Sequence, residues 1–110
     1  MLGLLLSAAF AFALAPEVVE SEGYANAGDL DGCIRVLESY TTKNPNDPEA
    51  LWRLARALYE KGEVLAQSVP DAQRLPIYER VRSLSKRTQE LDPESGQGYL
   101  WEGVAMGRIA

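Results

Sequence analysis

The sequence contains no histidine and only one cysteine, Cys33, among its 110 residues. Without histidine the commonest general base of enzymes is missing, and a zinc site built from cysteine and histidine is excluded. A single cysteine cannot form an intrachain disulfide. Glycine motifs that cradle phosphates and helical metal-binding motifs are also missing. We therefore expect a protein without enzymatic activity and without a cofactor.

Basic residues are few relative to acidic ones, with 11 lysines and arginines against 16 aspartates and glutamates and a formal net charge of −5. Proteins that bind nucleic acid without sequence preference neutralise its phosphates with a net basic surface. We therefore expect no nucleic-acid partner. The length has room for one domain with a modest core.

Residues 1–15 carry no charge and are almost wholly apolar. The run is shorter than the roughly 20 residues of a membrane-spanning helix and ends in small residues, as secretory signals do. This pattern predicts a signal peptide or N-terminal hydrophobic segment and an extracytoplasmic location, periplasmic or secreted. Cleavage after Ala13 or after Ala15 is left open. An uncleaved segment would anchor the chain to a membrane, and a truncated start that has lost its basic residues is a further alternative.

From Pro16 onward the apolar residues recur at helical spacing, and no segment alternates as a strand would. The fold class predicted is all-α, since each amphipathic helix needs a neighbour to bury its apolar face. The three apolar stripes comprise Leu30, Cys33, Ile34, Leu37 and Tyr40; Leu51, Leu54, Ala55, Leu58 and Leu65; and Ile77, Val81, Leu84, Thr88 and Leu91.

Turn signals divide these helices at regular intervals. Gly28-Asp29 and Gly62-Glu63 lie 34 residues apart, and each predicts a helix end at the glycine with an acid that begins the next helix. Asp47-Pro48 predicts a capped helix start with proline in the first turn. Residues 92–95 (Asp-Pro-Glu-Ser) are expected to separate two later helices in the same way.

A 34-residue period of helix, turn and helix resembles tetratricopeptide repeat arrays. The resemblance implies antiparallel helical hairpins stacked as a short right-handed solenoid, with about five helices after the N-terminal segment. Cys33 stands where this pattern usually has a small alanine, which implies a packing role; a reactive thiol is the alternative. The other matching residues are Tyr24, Gly28, Asp29, Leu30, Leu37, Pro45, Leu51, Leu54, Ala55, Leu58, Gly62 and Glu63.

The spacing from Pro45 to Pro93 exceeds one period by about 14 residues, which predicts an insertion at residues 64–76. We expect the preceding helix to continue through Leu65 or Gln67 and a loop to form at residues 68–71. The following helix is expected to begin between Ala72 and Pro76 and to end at Leu91. The insertion is either a functional element or an exposed spacer.

The predicted domain covers residues 16–110, with units at about 14–47, 48–95 and 96–110. The last unit is incomplete, which favours a fragment of a longer array over a terminal cap, since an array normally ends with a polar-faced helix.

A narrower resemblance is carried by the segments 51–57, 77–80 and 103–110 together with the long insertion. These segments resemble the tetratricopeptide domain of the regulator of microtubule dynamics family and its bacterial relatives, over about residues 15–110. The exported helical-repeat component associated with TRAP transporters is similar in architecture.

Stacked hairpins present a concave face lined by the first helix of each unit, and aromatic and arginine side chains carry much of the binding energy at interfaces. We therefore expect a non-catalytic scaffold that binds a protein or peptide partner; the oligomeric state is left open. The alternative is an exported small-ligand carrier or transporter accessory, with Trp52, Tyr59 and Trp101 as cavity walls. The candidate site residues are Trp52, Arg53, Arg56, Tyr59, Glu60, Trp101 and Arg108, with Leu100 and Val104 beside them.

Two other sets of residues bear on partner choice. The arrangement by which some tetratricopeptide domains clasp a peptide's C-terminal carboxylate is not matched, because Val18 and Glu22 stand where it needs cations or amides. A basic cluster is expected to be a solvated outer face, with Glu79 near Arg82 and Arg87 near Glu90; a membrane-surface or acidic-partner patch is the alternative. The cluster comprises Arg74, Arg80, Arg82, Lys86 and Arg87.

Overall fold

A computed structural model describes residues 13–110 of the protein. The chain forms five helices in that range, and no strand occurs among the described residues. The all-α class and the number of helices are therefore confirmed. The helices are α1 (Pro16–Asn26), α2 (Leu30–Lys43), α3 (Pro48–Leu65), α4 (Asp71–Leu91) and α5 (Gly96–Ile109).

The turns on either side of α2 have the predicted chemistry. Gly28 has a φ of 79°, the left-handed conformation that glycine adopts without a steric penalty. Asp29 caps α2 by accepting a hydrogen bond from the Gly32 amide. Asp47 accepts from the amides of Glu49 and Ala50 at the start of α3, and Pro48 stands in the first turn. Both helix starts are confirmed.

The turn between α4 and α5 differs from the two turns that flank α2. Asp92 follows the end of α4, and its side chain accepts a hydrogen bond from the Glu94 amide. Ser95 precedes α5, but its side chain makes no capping hydrogen bond. The two helices are thus separated at residues 92–95 as predicted, without a second side-chain cap.

The turn predicted at Gly62-Glu63 is wrong, because both residues lie within α3. Gly62 is buried, and a Cβ at this position would come within 2.9 Å of the Tyr78 ring. Glycine is needed here because a side chain from α4 approaches closely, and not because the backbone is left-handed. The expected continuation of the helix through Leu65 is confirmed.

Helix α4 begins at Asp71, one residue before the predicted range, so that Pro76 lies inside it. The first turn is held by Arg74, whose side chain donates to the carbonyl of Val69 and to the hydroxyl of Tyr78. Proline at position 76 itself donates no backbone hydrogen bond within α4. The connection is short, and residues 64–76 consist largely of helix at the end of α3 and the start of α4.

Helix α3 packs into two hydrophobic clusters. Leu54 joins a cluster with Val18 of α1 and Leu37 of α2, whereas the adjacent Ala55 joins Val81 of α4 and Ala105 of α5. Each helix contacts the next in sequence, α1 also contacts α3, and α3 also contacts α5. Helix α3 is therefore a neighbour of both α1 and α5 as well as of α2 and α4. The right-handed solenoid stays a prediction.

The buried stripe of α4 differs from the predicted one. Its buried positions are Arg74, Tyr78, Val81, Ser85 and Thr88, whereas Ile77, Leu84 and Leu91 are only partly buried. The hydroxyls of Ser85 and Thr88 donate to backbone carbonyls one turn earlier, so these polar groups are buried without loss of hydrogen bonds. Small side chains there let α5 approach closely: a Cβ on Gly98 would lie 3.2 Å from the Ser85 carbonyl oxygen.

Within residues 13–110, no helix combines the length and the apolar character needed to cross a membrane. The predicted signal peptide or hydrophobic segment at residues 1–15 falls almost entirely outside the described residues.

Candidate functional site

Helix α3 presents a continuous row of large side chains between α1 and α5. Trp52, Arg56, Tyr59 and Glu63 follow one another at intervals of three or four residues and so share one side of the helix. Arg53 and Glu60 flank this row. We call the set the α3 surface and include the groups of α1 and α5 that touch it. It comprises Trp52, Arg53, Arg56, Tyr59, Glu60 and Glu63 of α3, Glu22 of α1, and Trp101 and Arg108 of α5.

Glu22 connects α1 to the arginines of α3. One of its carboxylate oxygens accepts a hydrogen bond from Nε of Arg53 at 2.8 Å and one from a terminal nitrogen of Arg56 at 2.7 Å. Burial by itself raises the pKa of the Glu22 carboxyl, but the hydrogen bonds and charges of Arg56 and Arg53 outweigh it, and the pKa lies below its ordinary value. Glu22 is therefore ionised at neutral pH and holds both guanidinium groups in place.

Trp52 lies beneath these guanidinium groups. The central carbon of Arg53 is 4.2 Å from the centroid of the indole ring, and that of Arg56 is 5.2 Å away, both within the range of cation–π attraction. The indole N–H donates to Glu49 at 2.9 Å. Trp52 is half-buried and belongs to neither hydrophobic cluster. Its ring is thus held in place by polar contacts while part of it stays open to solvent.

Tyr59 connects α3 to α5 at the other end of the surface. Its ring centroid lies 5.7 Å from that of Trp101 and 5.9 Å from that of Tyr78. Tyr59 and Trp101 both pack against the cluster that contains Ala55 and Ala105. Trp52 precedes Tyr59 by two turns, about 10 Å along the helix. The three rings predicted to wall a ligand cavity therefore do not enclose one space. Tyr59 and Trp101 pack on one another, and Trp52 lies apart from both.

A hydrogen-bonded chain borders the same end. The hydroxyl of Tyr78 donates to Glu63 at 2.5 Å and accepts from Arg74 at 2.6 Å, and Arg108 forms an ion pair with Glu63. The hydrogen bond from Tyr78, aided by the charge of Arg108 and opposed by burial, lowers the pKa of Glu63. Burial and the neighbouring Glu63 raise the pKa of Tyr78. These contacts fix the start of α4 and the end of α5 against α3.

Six of the seven predicted site residues thus fall into two groups of three. Trp52, Arg53 and Arg56 lie together on the side of α1, whereas Tyr59, Trp101 and Arg108 lie on the side of α5. Glu60 is half-buried and forms no ion pair within residues 13–110. Of the two flanking residues, Leu100 is exposed and Val104 is half-buried.

Sequence reasoning missed the roles of Glu22 and Glu63. For Glu22 the sequence indicates only that an acid stands where a carboxylate clasp needs a cation. For Glu63 it predicts a turn. The 34-residue separation between Glu22 and Arg56 equals one repeat period, and Arg53 lies about one helical turn before Arg56. This spacing is the signal that could have identified the ion pairs.

The Cys33 side chain is fully buried among Val18, Leu37 and Leu54. Burial raises the pKa of the thiol, the effect of the nearby Arg56 being smaller. A thiol with a raised pKa is less available as a thiolate, which agrees with the predicted packing role and not with a reactive cysteine.

The basic cluster of α4 is only partly the solvated face that was predicted. Arg87 pairs with Glu90 as expected, but the expected Glu79–Arg82 pair does not form among the described residues. Arg74 is buried rather than solvated, because its guanidinium is enclosed by hydrogen-bond acceptors at the start of α4. Arg80 forms a two-pronged pair with Glu38 of α2, 42 residues away.

The sequence model of the regulator of microtubule dynamics protein 1-3 family matches residues 19–110. The chain therefore belongs to this family. No match is found among the curated proteins.

Proposed function

We propose that the protein is a non-catalytic interaction module that binds a protein or peptide partner through the α3 surface. In this proposal α1–α2 and α3–α4 are tetratricopeptide-like hairpins, α5 is the first helix of a third unit, and the three first helices line a concave face. The contacts of α3 with both α1 and α5 support this arrangement.

The observation that carries the proposal is the environment of Trp52. A half-buried indole outside both hydrophobic clusters is not needed for the core, yet it is held in place by Glu49 and lies beside two guanidinium groups. A fixed aromatic ring with arginine beside it loses little conformational entropy on binding, and such residues are common at binding hot spots.

The proposal is tested by capturing partners from a lysate of the source organism with the protein and with a Trp52→Ala/Arg56→Ala variant. A matched control replaces an aromatic and a cation away from the α3 surface, Tyr99→Ala/Lys86→Ala, both of which are exposed. We expect the control to retain the captured partners and the Trp52→Ala/Arg56→Ala variant to lose them. Equal capture by both variants would contradict the proposal.

The family description names its members as regulators of microtubule dynamics. Microtubules are therefore the first purified partner to test, by co-sedimentation of the same three proteins. Sedimentation that depends on Trp52 and Arg56 but not on Tyr99 and Lys86 would identify microtubules as the partner of the α3 surface.

A separate proposal is the extracytoplasmic location, on the uncharged apolar composition of residues 1–15. It and a microtubule partner exclude one another, because microtubules lie in the cytoplasm. Cell fractionation of the natural protein tests it, and N-terminal sequencing of the purified protein would show whether the chain begins after Ala13 or Ala15.

A further inference from the structure

A groove between α1 and α2 lies apart from the α3 surface. It has a volume of about 300 Å³, at the lower end of the range for pockets that hold small molecules. Its lining residues are Glu17, Glu20, Arg35, Val36, Ser39, Tyr40, Lys43 and Asn44. We call it the α1–α2 groove.

The two walls of the groove carry opposite charges. Glu17 and Glu20, one turn apart on α1, form an acidic wall, and Arg35 and Lys43, two turns apart on α2, form a basic wall. Within residues 13–110 none of these four groups forms an ion pair, although eight other ion pairs are present there. Residues 1–12 contain no charged side chain that could supply a counter-ion. No side-chain nitrogen of Arg35 or Lys43 thus lies within 4.0 Å of a carboxylate oxygen of Glu17 or Glu20.

The base of the groove is less polar than its rim. Val36 and Tyr40 are half-buried, whereas the two glutamates, Arg35 and Lys43 are exposed. The Tyr40 ring is held in position because its hydroxyl donates to Asp47 at 2.7 Å. A ligand that fits has a cationic group at one end, an anionic group at the other and a short apolar body between them.

We propose that the α1–α2 groove binds a small zwitterion of the amino-acid or dipeptide class. The ligand ammonium pairs with Glu17 and Glu20, its carboxylate pairs with Arg35 and Lys43, and its apolar part lies on Val36 and Tyr40. Since exposed ion pairs are weak individually, the affinity is in the millimolar range, and both charged ends are required for binding.

The experiment is a titration of the isotopically labelled protein with the dipeptide glycyl-leucine, followed by amide chemical shifts. Two blocked dipeptides serve as ligand controls: N-acetyl-glycyl-leucine lacks the ammonium and glycyl-leucinamide lacks the carboxylate. The protein variants are Glu20→Gln for the acidic wall and Arg35→Gln for the basic wall. Their controls are Glu94→Gln and Lys86→Gln, which are exposed and outside the groove.

We expect saturable shifts confined to α1 and α2 with glycyl-leucine. Each groove variant weakens binding about threefold to fivefold, each outside control leaves it unchanged, and each blocked dipeptide binds more weakly than the zwitterion. Three results would overturn the proposal: no saturable shifts, equal shifts with a blocked dipeptide, or shifts centred on α3 and α5. The test is independent of the α3 surface, whose residues are intact in every variant.

Discussion

The ring of Tyr78 lies directly against Gly62. A Cβ placed on Gly62 would be 2.9 Å from Cε1 of Tyr78 and 3.0 Å from its hydroxyl oxygen. The ring has little freedom to move away, because its hydroxyl is bound by both Glu63 and Arg74. This contact sets the distance between α3 and α4 near the end of α3.

The first prediction is that Gly62→Ala destabilises the protein. Alanine favours the helix by about 1 kcal/mol, but displacing the packed ring costs about 1–3 kcal/mol, so we expect a net loss of up to about 2 kcal/mol. Urea denaturation measures it. The control is Gly103→Ala, also within a helix but with no atom within 4 Å of the added Cβ, which should gain about 0.5–1 kcal/mol. A gain at Gly62 as large as that at Gly103 would refute the role assigned to Tyr78.

The second prediction concerns the turn between α1 and α2. Gly28→Ala places a side chain at a φ of 79°, and we expect a loss of about 1 kcal/mol from backbone strain alone, since no atom lies within 4 Å of the added Cβ. Gly23→Ala, five residues earlier in α1, is the control and should be neutral or stabilising. Thermal denaturation of both variants distinguishes conformational strain from a general intolerance of alanine.

These two glycines show what the sequence could and could not predict. Gly28 lies in a turn whose chemistry is complete within a few neighbouring residues, and its role was predicted correctly. The role of Gly62 depends on Tyr78, which is distant in sequence and packs from another helix. The start of α4 also depends on a more distant segment, because the buried Arg74 side chain there donates to the Gly62 carbonyl of α3. The aromatic and arginine residues of the α3 surface are recognisable from their types and spacing in the sequence, whereas the role of Glu22 depends on the position of α1 beside α3.

The third prediction concerns the ion pairs of Glu22. Glu22→Gln retains the shape of the side chain but removes the charge that holds Arg53 and Arg56. The side chain is 30% exposed, so we expect a loss of about 1–2 kcal/mol near neutral pH, below the full value for buried charged hydrogen bonds. Glu20→Gln, an exposed neighbour on α1 without an ion pair among residues 13–110, should change stability little.

The pH dependence of this effect has a definite sign. Because the pKa of Glu22 is lowered in the folded state, its contribution is present above the ordinary value of 4.5 and is lost as the pH falls below it. The stability difference between the protein and Glu22→Gln should therefore shrink under acidic conditions. A difference that stays constant from neutral pH to pH 3 would show that the charge of Glu22 is not responsible.

The fourth prediction concerns Tyr40 and Asp47. The hydrogen bond to Asp47, together with burial and the charge of Asp47, raises the pKa of Tyr40 to about 12. Asp47→Asn keeps a residue able to cap α3 but removes the charge, so the pKa of Tyr40 should fall toward 10. Ultraviolet titration of the tyrosines detects the change, and Tyr40→Phe identifies which step belongs to Tyr40. An unchanged titration in Asp47→Asn would contradict the assigned cause.

The raised pKa of Tyr40 also sets the direction of a stability change. The folded protein holds the Tyr40 proton more tightly than the unfolded chain, so this contribution is complete below pH 10 and is lost as the pH rises through about 12. Between pH 10 and about pH 12, the free energy of unfolding of Tyr40→Phe should therefore decrease less than that of the unaltered protein.

The central claim is that the protein binds its partner through Trp52 on the α3 surface. The most direct measurement is the affinity for the captured partner of four proteins: the unaltered chain, Trp52→Phe, Trp52→Ala and Tyr99→Ala. If Trp52 is a binding hot spot, Trp52→Ala should weaken binding by at least about tenfold, with Trp52→Phe intermediate and Tyr99→Ala unchanged. Unchanged affinity in Trp52→Ala, with circular dichroism showing an intact fold, would contradict the account.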